Sequence, residues 1–175
     1  MKGVICMEFT FETTYDQKAL TAMARGLRKT LRKKRSRRSH IFGWIVIALA
    51  LLLVFSSGTF DFRSVITILV VLILLIVLLF EDSINGYFAK KRMMPGTEQA
   101  FSHFTDISFT SSTEIGKTEF HYEKIAAIAE TNDFFIFLFS NNHAQVYNKR
   151  ALAGGSAEAF RVFIQQKTEK TISHF

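Results

Sequence analysis

Between Ile41 and Phe60 no residue carries a charge, and a second uncharged stretch runs from Ser64 to Phe80. Two such stretches, parted only by a loop holding Asp61 and Arg63, leave few folds open. A helix that is apolar all round needs burial on every side. The remainder of a 175-residue chain is too small to supply that twice. About twenty apolar residues do match the hydrocarbon core of a bilayer. The chain therefore reads as a transmembrane hairpin, with a first span at 41–57, an external loop at 58–63 and a second span at 64–80. At 1.5 Å per residue, Val65 to Phe80 covers about 25 Å, slightly short of a typical core. Neither span has an ionisable side chain in its middle, which argues against a proton relay or ion path within one subunit.

The basic residues set the orientation. The net charge of +7 is not spread evenly. Residues 1–40 hold eleven Lys and Arg against three acids, a net of +8, and the remainder holds eleven against twelve, a net of −1. The run Arg28, Lys29, Arg32, Lys33, Lys34, Arg35, Arg37, Arg38 stops just before the first apolar residue, and Lys90, Lys91 and Arg92 follow the second span. Positive flanks face the cytoplasm, so both termini are expected there. Trp44 lies near the basic end, where an indole suits the headgroup level. The eight cations and Trp44 form the expected membrane-surface site for anionic headgroups, each cation contributing about 1 kcal/mol near an anionic leaflet. Such runs also take nucleic acid through counterion release. Here the leaflet's own phosphates compete for the run, and no nucleic-acid partner is expected.

The single cysteine, Cys6, excludes an internal disulfide and a multi-cysteine zinc site. No secretory leader is visible, because the first apolar segment lies some forty residues in and is followed by a second. Met7 is a candidate natural start.

Outside the spans the patterns change. Phe9 and Phe11 alternate with Glu8, Thr10 and Glu12, as in a half-buried strand. From about Asp16, Leu20, Met23, Ala24, Leu27 and Leu31 recur at helical spacing among basic residues. Residues 15–40 are thus expected to form a basic amphipathic helix lying on the membrane surface or leading straight into the first span. Residues 81–97 read as a cytoplasmic connector ending at Pro95-Gly96. Residues 98–175 alternate as strands with turn signals at Gly116, Asn132-Asp133 and Asn141-Asn142, the pattern of consecutive antiparallel hairpins. A closing helix is expected from Ser156, with Ala157, Phe160, Phe163 and Ile164 as its apolar stripe. Phe134 to Phe139 is apolar on both faces. One face can lie under the helix, while the other must meet an opposing sheet, another subunit, the bilayer or a partner. Phe135, Phe137 and Phe139 are accordingly a candidate partner surface.

Catalytic chemistry has little to work with. The five histidines lack ligand spacing, and only His121 and His143 could face each other across strands. Glu81 and Asp82 sit together where the second span exits, and read as an acidic helix terminus rather than an acid–base pair. No GxSxG, HExxH or phosphate-binding glycine loop occurs. Lys149 and Arg150 are too few for a phosphoinositide-type site. No catalytic residue, metal or cofactor is expected, and the chain does not read as an enzyme.

The layout resembles a known family. Two spans behind a basic N-terminal segment, then TEFHYEKIAAIAETNDFFIFLFSNNHAQVYNKRAL and a short helix, are similar to the YcxB-like bacterial membrane proteins. The telling segment is Phe120 to Leu152, with its EKI and ETND turns, phenylalanine-rich strand and NKRAL. Family members often have Trp where this chain has Tyr122, and Pro where it has Asn148. The resemblance implies an α+β membrane protein of the bacterial cytoplasmic membrane. It would have a two-helix transmembrane hairpin and a cytoplasmic pleckstrin-homology-like antiparallel β domain closed by a C-terminal helix. It also implies that residues 1–14 add a strand to that domain. No catalytic residue comes with it.

The expected role is a membrane-tethered, non-enzymatic interaction or regulatory module. Its partners would be the bilayer and a membrane protein or a second copy of itself. Self-immunity against a bacteriocin or other membrane-active peptide is one alternative, and an accessory subunit of a transporter is another.

Overall fold

The computed structural model describes residues 8–56, 58 and 61–175. Cys6, Met7, Ser57 and Phe60, all used above, lie outside the described residues.

Strand β1 (Phe9–Thr14) turns Phe9, Phe11 and Thr13 inward and Glu12 and Thr14 outward, as its alternation dictates. Asp16 then caps α1 (Gln17–Lys29), its carboxylate accepting from the Ala19 N–H at 2.7 Å. The helix stops at Thr30, whose N–H and hydroxyl both bond the Gly26 carbonyl, at 3.1 and 2.6 Å. A side chain competing for a helix carbonyl in this way favours a break. The single basic helix expected over 15–40 is therefore two. After the elbow at Thr30–Arg32, α2 (Lys33–Ser56) carries most of the basic run in its first two turns and continues as the first apolar stretch.

Asp61 caps α3 (Phe62–Leu79), accepting from the Ser64 N–H at 3.0 Å, so Phe62 and Arg63 belong to this helix rather than to the loop. The two helices lie antiparallel, with Gly43 against Leu78 and His40 against Glu81. Both are long and apolar enough to cross a membrane. Among the described residues of this pair only Ile47, Ser64 and Val71 are buried, while Leu52 is 62% and Leu69 56% exposed. Soluble monomers rarely expose a contiguous apolar surface of this extent.

Residues 81–97 are not a plain connector. A kink at Phe80 leads into α4 (Glu81–Lys91), acidic in its first turn and basic in its last, which complements the helix dipole. It packs along α1, approaching closely where Gly86 meets Thr21. A Cβ on Gly86 would lie 2.8 Å from the Thr21 backbone nitrogen.

The β domain follows: β2 (Gln99–Phe104), β3 (Ser108–Thr113), β4 (Gly116–His121), β5 (Ala127–Glu130), β6 (Phe134–Ser140), β7 (His143–Asn148), β8 (Leu152–Ala153), α5 (Ala157–Thr168) and β9 (Ile172–His174). One sheet has the order β4-β3-β2-β1-β8 and the other β7-β6-β5-β9. Every pairing is antiparallel except β5 with β9. The fold is thus α+β, with two mainly antiparallel sheets and two long apolar helices. Ser156 caps α5, accepting from the Ala159 N–H at 3.1 Å.

The inner faces meet through aromatic rings. Phe11 stands edge-on to Phe104 and Phe160 at 5.6 and 4.7 Å, and Phe137 packs on Tyr147 at 4.8 Å. Fully burying one such ring contributes about 1.5–3 kcal/mol. A second cluster lies on the other side of β6, where Phe134, Ile136 and Leu138 meet Ala19, Ala22 and Leu27 of α1. Two expectations change here. The apolar stripe of α1 covers this sheet rather than a membrane surface. Phe135 and Phe137 are wholly buried and offer no partner surface, because β6 is covered on both faces by the opposite sheet with α5 and by α1. Phe139, half-buried, packs on Phe120 and His143.

Candidate basic site at the helix elbow

The break at Thr30–Arg32 turns the chain so that the end of α1, the first turns of α2 and the end of β9 enclose a cleft of about 560 Å³. Lys33, Ser36, Arg37 and His40 recur at helical spacing and line one wall. Arg28 and Lys29 stand opposite, and Ser173, His174 and Phe175 close the third side.

Charge compensation divides these residues. Arg28 forks onto Asp82, with Nε–Oδ1 and Nη2–Oδ2 both at 2.6 Å, and Arg25 approaches the same carboxylate at 3.5 Å. The Asp82 hydrogen bond pushes the Arg28 guanidinium above its ordinary pKa, against the effect of burial. His40 Nε2 lies 2.7 Å from Glu81, and His174 Nδ1 lies 3.5 Å from Glu130. The Glu81–Asp82 pair is therefore a clamp between the hairpin and α1. Lys29 lies over the Phe175 ring, at 4.9 Å. Lys33 and Arg37 are exposed and meet no acidic side chain among the described residues. With the Ser36 hydroxyl, these three cations make an arrangement that can hold an anion.

The other expected surface residues separate in the same way. Arg32 donates to the Asn141 carbonyl at 2.6 Å and to Asn142 Oδ1 at 2.7 Å, on the β6–β7 turn. Lys34, Arg35 and Arg38 are exposed beyond the cleft, and Trp44 is half-exposed one turn above His40. Of the eight cations expected at a membrane surface, Arg28 and Arg32 are thus spent on the protein itself.

Other candidates are structural. Lys149 binds Glu130, and Arg150 binds Asp133 at 3.0 Å. His121 lies opposite Ser108 in one sheet and His143 opposite Ser140 in the other, so these histidines are not cross-strand neighbours. The Tyr122 hydroxyl donates to the Thr105 carbonyl at 2.5 Å. Asn148 does what a proline could not, donating its N–H to Thr13 Oγ1 at 3.2 Å. The cleft itself is not written in the sequence pattern. The i, i+4 repeat of Lys33 and Arg37 hinted at it, but the wall supplied by β9 is a tertiary fact.

Residues 104–164 match the family model described as YcxB-like protein. That stretch runs from the last residue of β2 to Ile164 in α5, and leaves β1 and the helices α1–α4 outside it. No curated protein and no solved structure matches the chain. Over residues 104–164 the chain carries a YcxB-like domain, the family to which its Phe120–Leu152 segment points.

Proposed function

We propose that the chain is a membrane-tethered, non-enzymatic interaction module of the bacterial cytoplasmic membrane. In this reading α2 and α3 cross the bilayer, and both termini and the β domain lie on the cytoplasmic side. One observation carries it: the apolar hairpin is joined to the β domain through paired chain crossings and a bidentate ion pair. Residues 15–98 leave and re-enter the domain between Thr14 and Gln99, which face each other in the β1–β2 register, and Tyr15 N–H bonds the Glu98 carbonyl at 2.7 Å. Above that point α1 and α4 are clamped by Arg28 and Asp82. A domain held at a fixed depth has a raised effective concentration toward membrane partners or copies of itself.

Two further features support the reading. The order β4-β3-β2-β1 in one sheet, β7-β6-β5 in the other and α5 after them support a pleckstrin-homology-like reading, to which β8 and β9 are additions. The domain's carboxylates Glu130 and Asp133 are taken up by Lys149, Arg161, Lys18 and Arg150, an arrangement suited to holding shape rather than moving protons. Lys33, Lys34, Arg35, Arg37 and Arg38 would then meet anionic headgroups.

Single cysteines in a Cys6→Ser background test the topology. A membrane-impermeant maleimide on intact cells should label Gly58→Cys, and should label Lys117→Cys only after lysis. In-cell crosslinking should then recover a membrane protein or a second copy. Labelling of Lys117→Cys on intact cells, or recovery of monomer alone, would overturn the proposal.

A further inference from the structure

We infer that the cleft at the α1–α2 elbow is a binding site for one phosphate group, carried by a membrane lipid or free in solution. The inference rests on the membrane reading only for the source of the phosphate.

Lys33 and Arg37 are like charges four residues apart on one helix, a pairing that destabilises a helix unless something offsets it. Their neighbours in the cleft are satisfied: Arg28 by Asp82 and His40 by Glu81. Lys29, Lys33 and Arg37 meet no acidic side chain among the described residues, and none of those residues that line the cleft is acidic. Three cations from two helices without an acidic side-chain partner among the described residues, with Ser36 on the same cleft wall as Lys33 and Arg37, offer what a phosphate needs. Arg37 can supply a planar two-pronged donor, the lysines compact charges, and Ser36 a neutral donor. Phosphate suits this set better than a carboxylate does, because it has more oxygens to share among several donors.

Depth favours a lipid source. His40 directly precedes the uncharged stretch, and Lys33 lies seven residues earlier, about 10 Å down the helix axis. The headgroup layer on each side of a bilayer is about 5–8 Å deep. A cleft bounded by these two residues would sit within and just below that layer.

Full-length protein in uncharged detergent micelles provides the test, read through Trp44, the only tryptophan, which shares a helix face with Arg37 and His40. The probes are dihexanoyl phosphatidic acid, inorganic phosphate and dihexanoyl phosphatidylcholine. Phosphatidic acid should change the fluorescence saturably. Lys33→Gln with Arg37→Gln should weaken binding at least about tenfold, a difference well within what two charged contacts supply. Lys117→Gln with Lys124→Gln removes the same charge from exposed positions of the β domain outside the cleft, and should leave affinity nearly unchanged. Unchanged thermal melts would show that both variants are folded. Preference for phosphatidic acid over inorganic phosphate assigns the site to a headgroup, and equal binding assigns it to soluble phosphate. Equal loss in the two variants would mean diffuse attraction and would overturn the site. So would phosphatidylcholine binding as tightly as phosphatidic acid, or no saturation with either phosphate probe. The labelling experiment above can fail independently of all these outcomes.

Discussion

Glu130 is 3% exposed on β5, yet it is met by two cations. Arg161 reaches it through Nη2 at 2.7 Å and Nε at 2.9 Å, and Lys149 through its ammonium, so one carboxylate ties β5 to α5 and to the turn after β7. Burial alone would raise its pKa, but the hydrogen bonds from Arg161 and Lys149 outweigh that and hold it below the ordinary range. A carboxylate depressed in the folded state stabilises at pH above its unfolded pKa of about 4.3, and loses that contribution as pH falls through the lower folded value. Glu130→Gln should therefore cost most near neutral pH. We expect about 3 kcal/mol, the low end for a broken buried pair, because Lys149 and Arg161 keep some contact with water. Thermal melts from pH 7 down to about pH 3 check this: the gap between parent and variant should narrow in acid. A gap independent of pH would show that the cations, not the charge of Glu130, set the geometry.

At the scale of elements, the joint between α1 and α4 holds the hairpin against the domain. Asp82 is 8% exposed and bidentate to Arg28, so a double-mutant cycle with Arg28→Ala and Asp82→Ala should return a coupling of about 1.5–3 kcal/mol. Gly86→Val should cost about 1–3 kcal/mol, since the added carbons meet the Thr21 backbone. Both changes should speed trypsin cleavage at the basic elbow, and unchanged cleavage would mean the joint is not what orders it. At this joint the sequence pattern stops short of the fold. The alternation of Phe9 and Phe11, the apolar stripe of α5 and the two apolar stretches declare themselves through periodicity alone. The stripe of α1 announces burial but not the surface that accepts it, and its basic neighbours point to a membrane as readily as to a sheet. Residues 81–97 read as a connector because the docked face of α4 is centred on Gly86, which has no side chain to mark it, while the apolar Tyr87 and Phe88 stay exposed. The inward face of β2 includes Ala100 and Ser102, too small and polar to register as a buried edge.

For the whole molecule, the connectivity is that of a domain with a long apolar helical hairpin set into one of its turns. β1 and β2 are adjacent antiparallel strands, and everything between Thr14 and Gln99 is, topologically, their connection. Insertions of this kind are tolerated where the two ends of the insert lie close together. The segment after Pro95 should not fold alone, because β1 lies between β2 and β8 and brings Phe9 and Phe11 to the core. Losing each ring costs about 3–5 kcal/mol, against a total of about 5–15 kcal/mol for a domain. Joining residues 8–32 to residues 81–175 should restore the fold. Arg28 already touches Asp82, so a flexible linker of about ten Gly and Ser residues, with a reach of about 17 Å, is long enough. That fusion keeps both β1 and the α1–α4 joint while removing almost every exposed apolar residue of the hairpin. It should be monomeric in water without detergent and melt in one transition. The fragment 95–175 should bind a hydrophobic dye and show no cooperative melt. If the fragment melts cooperatively and the fusion does not, β1 is an accessory to the domain, and the hairpin cannot act on it through the β1–β2 pair.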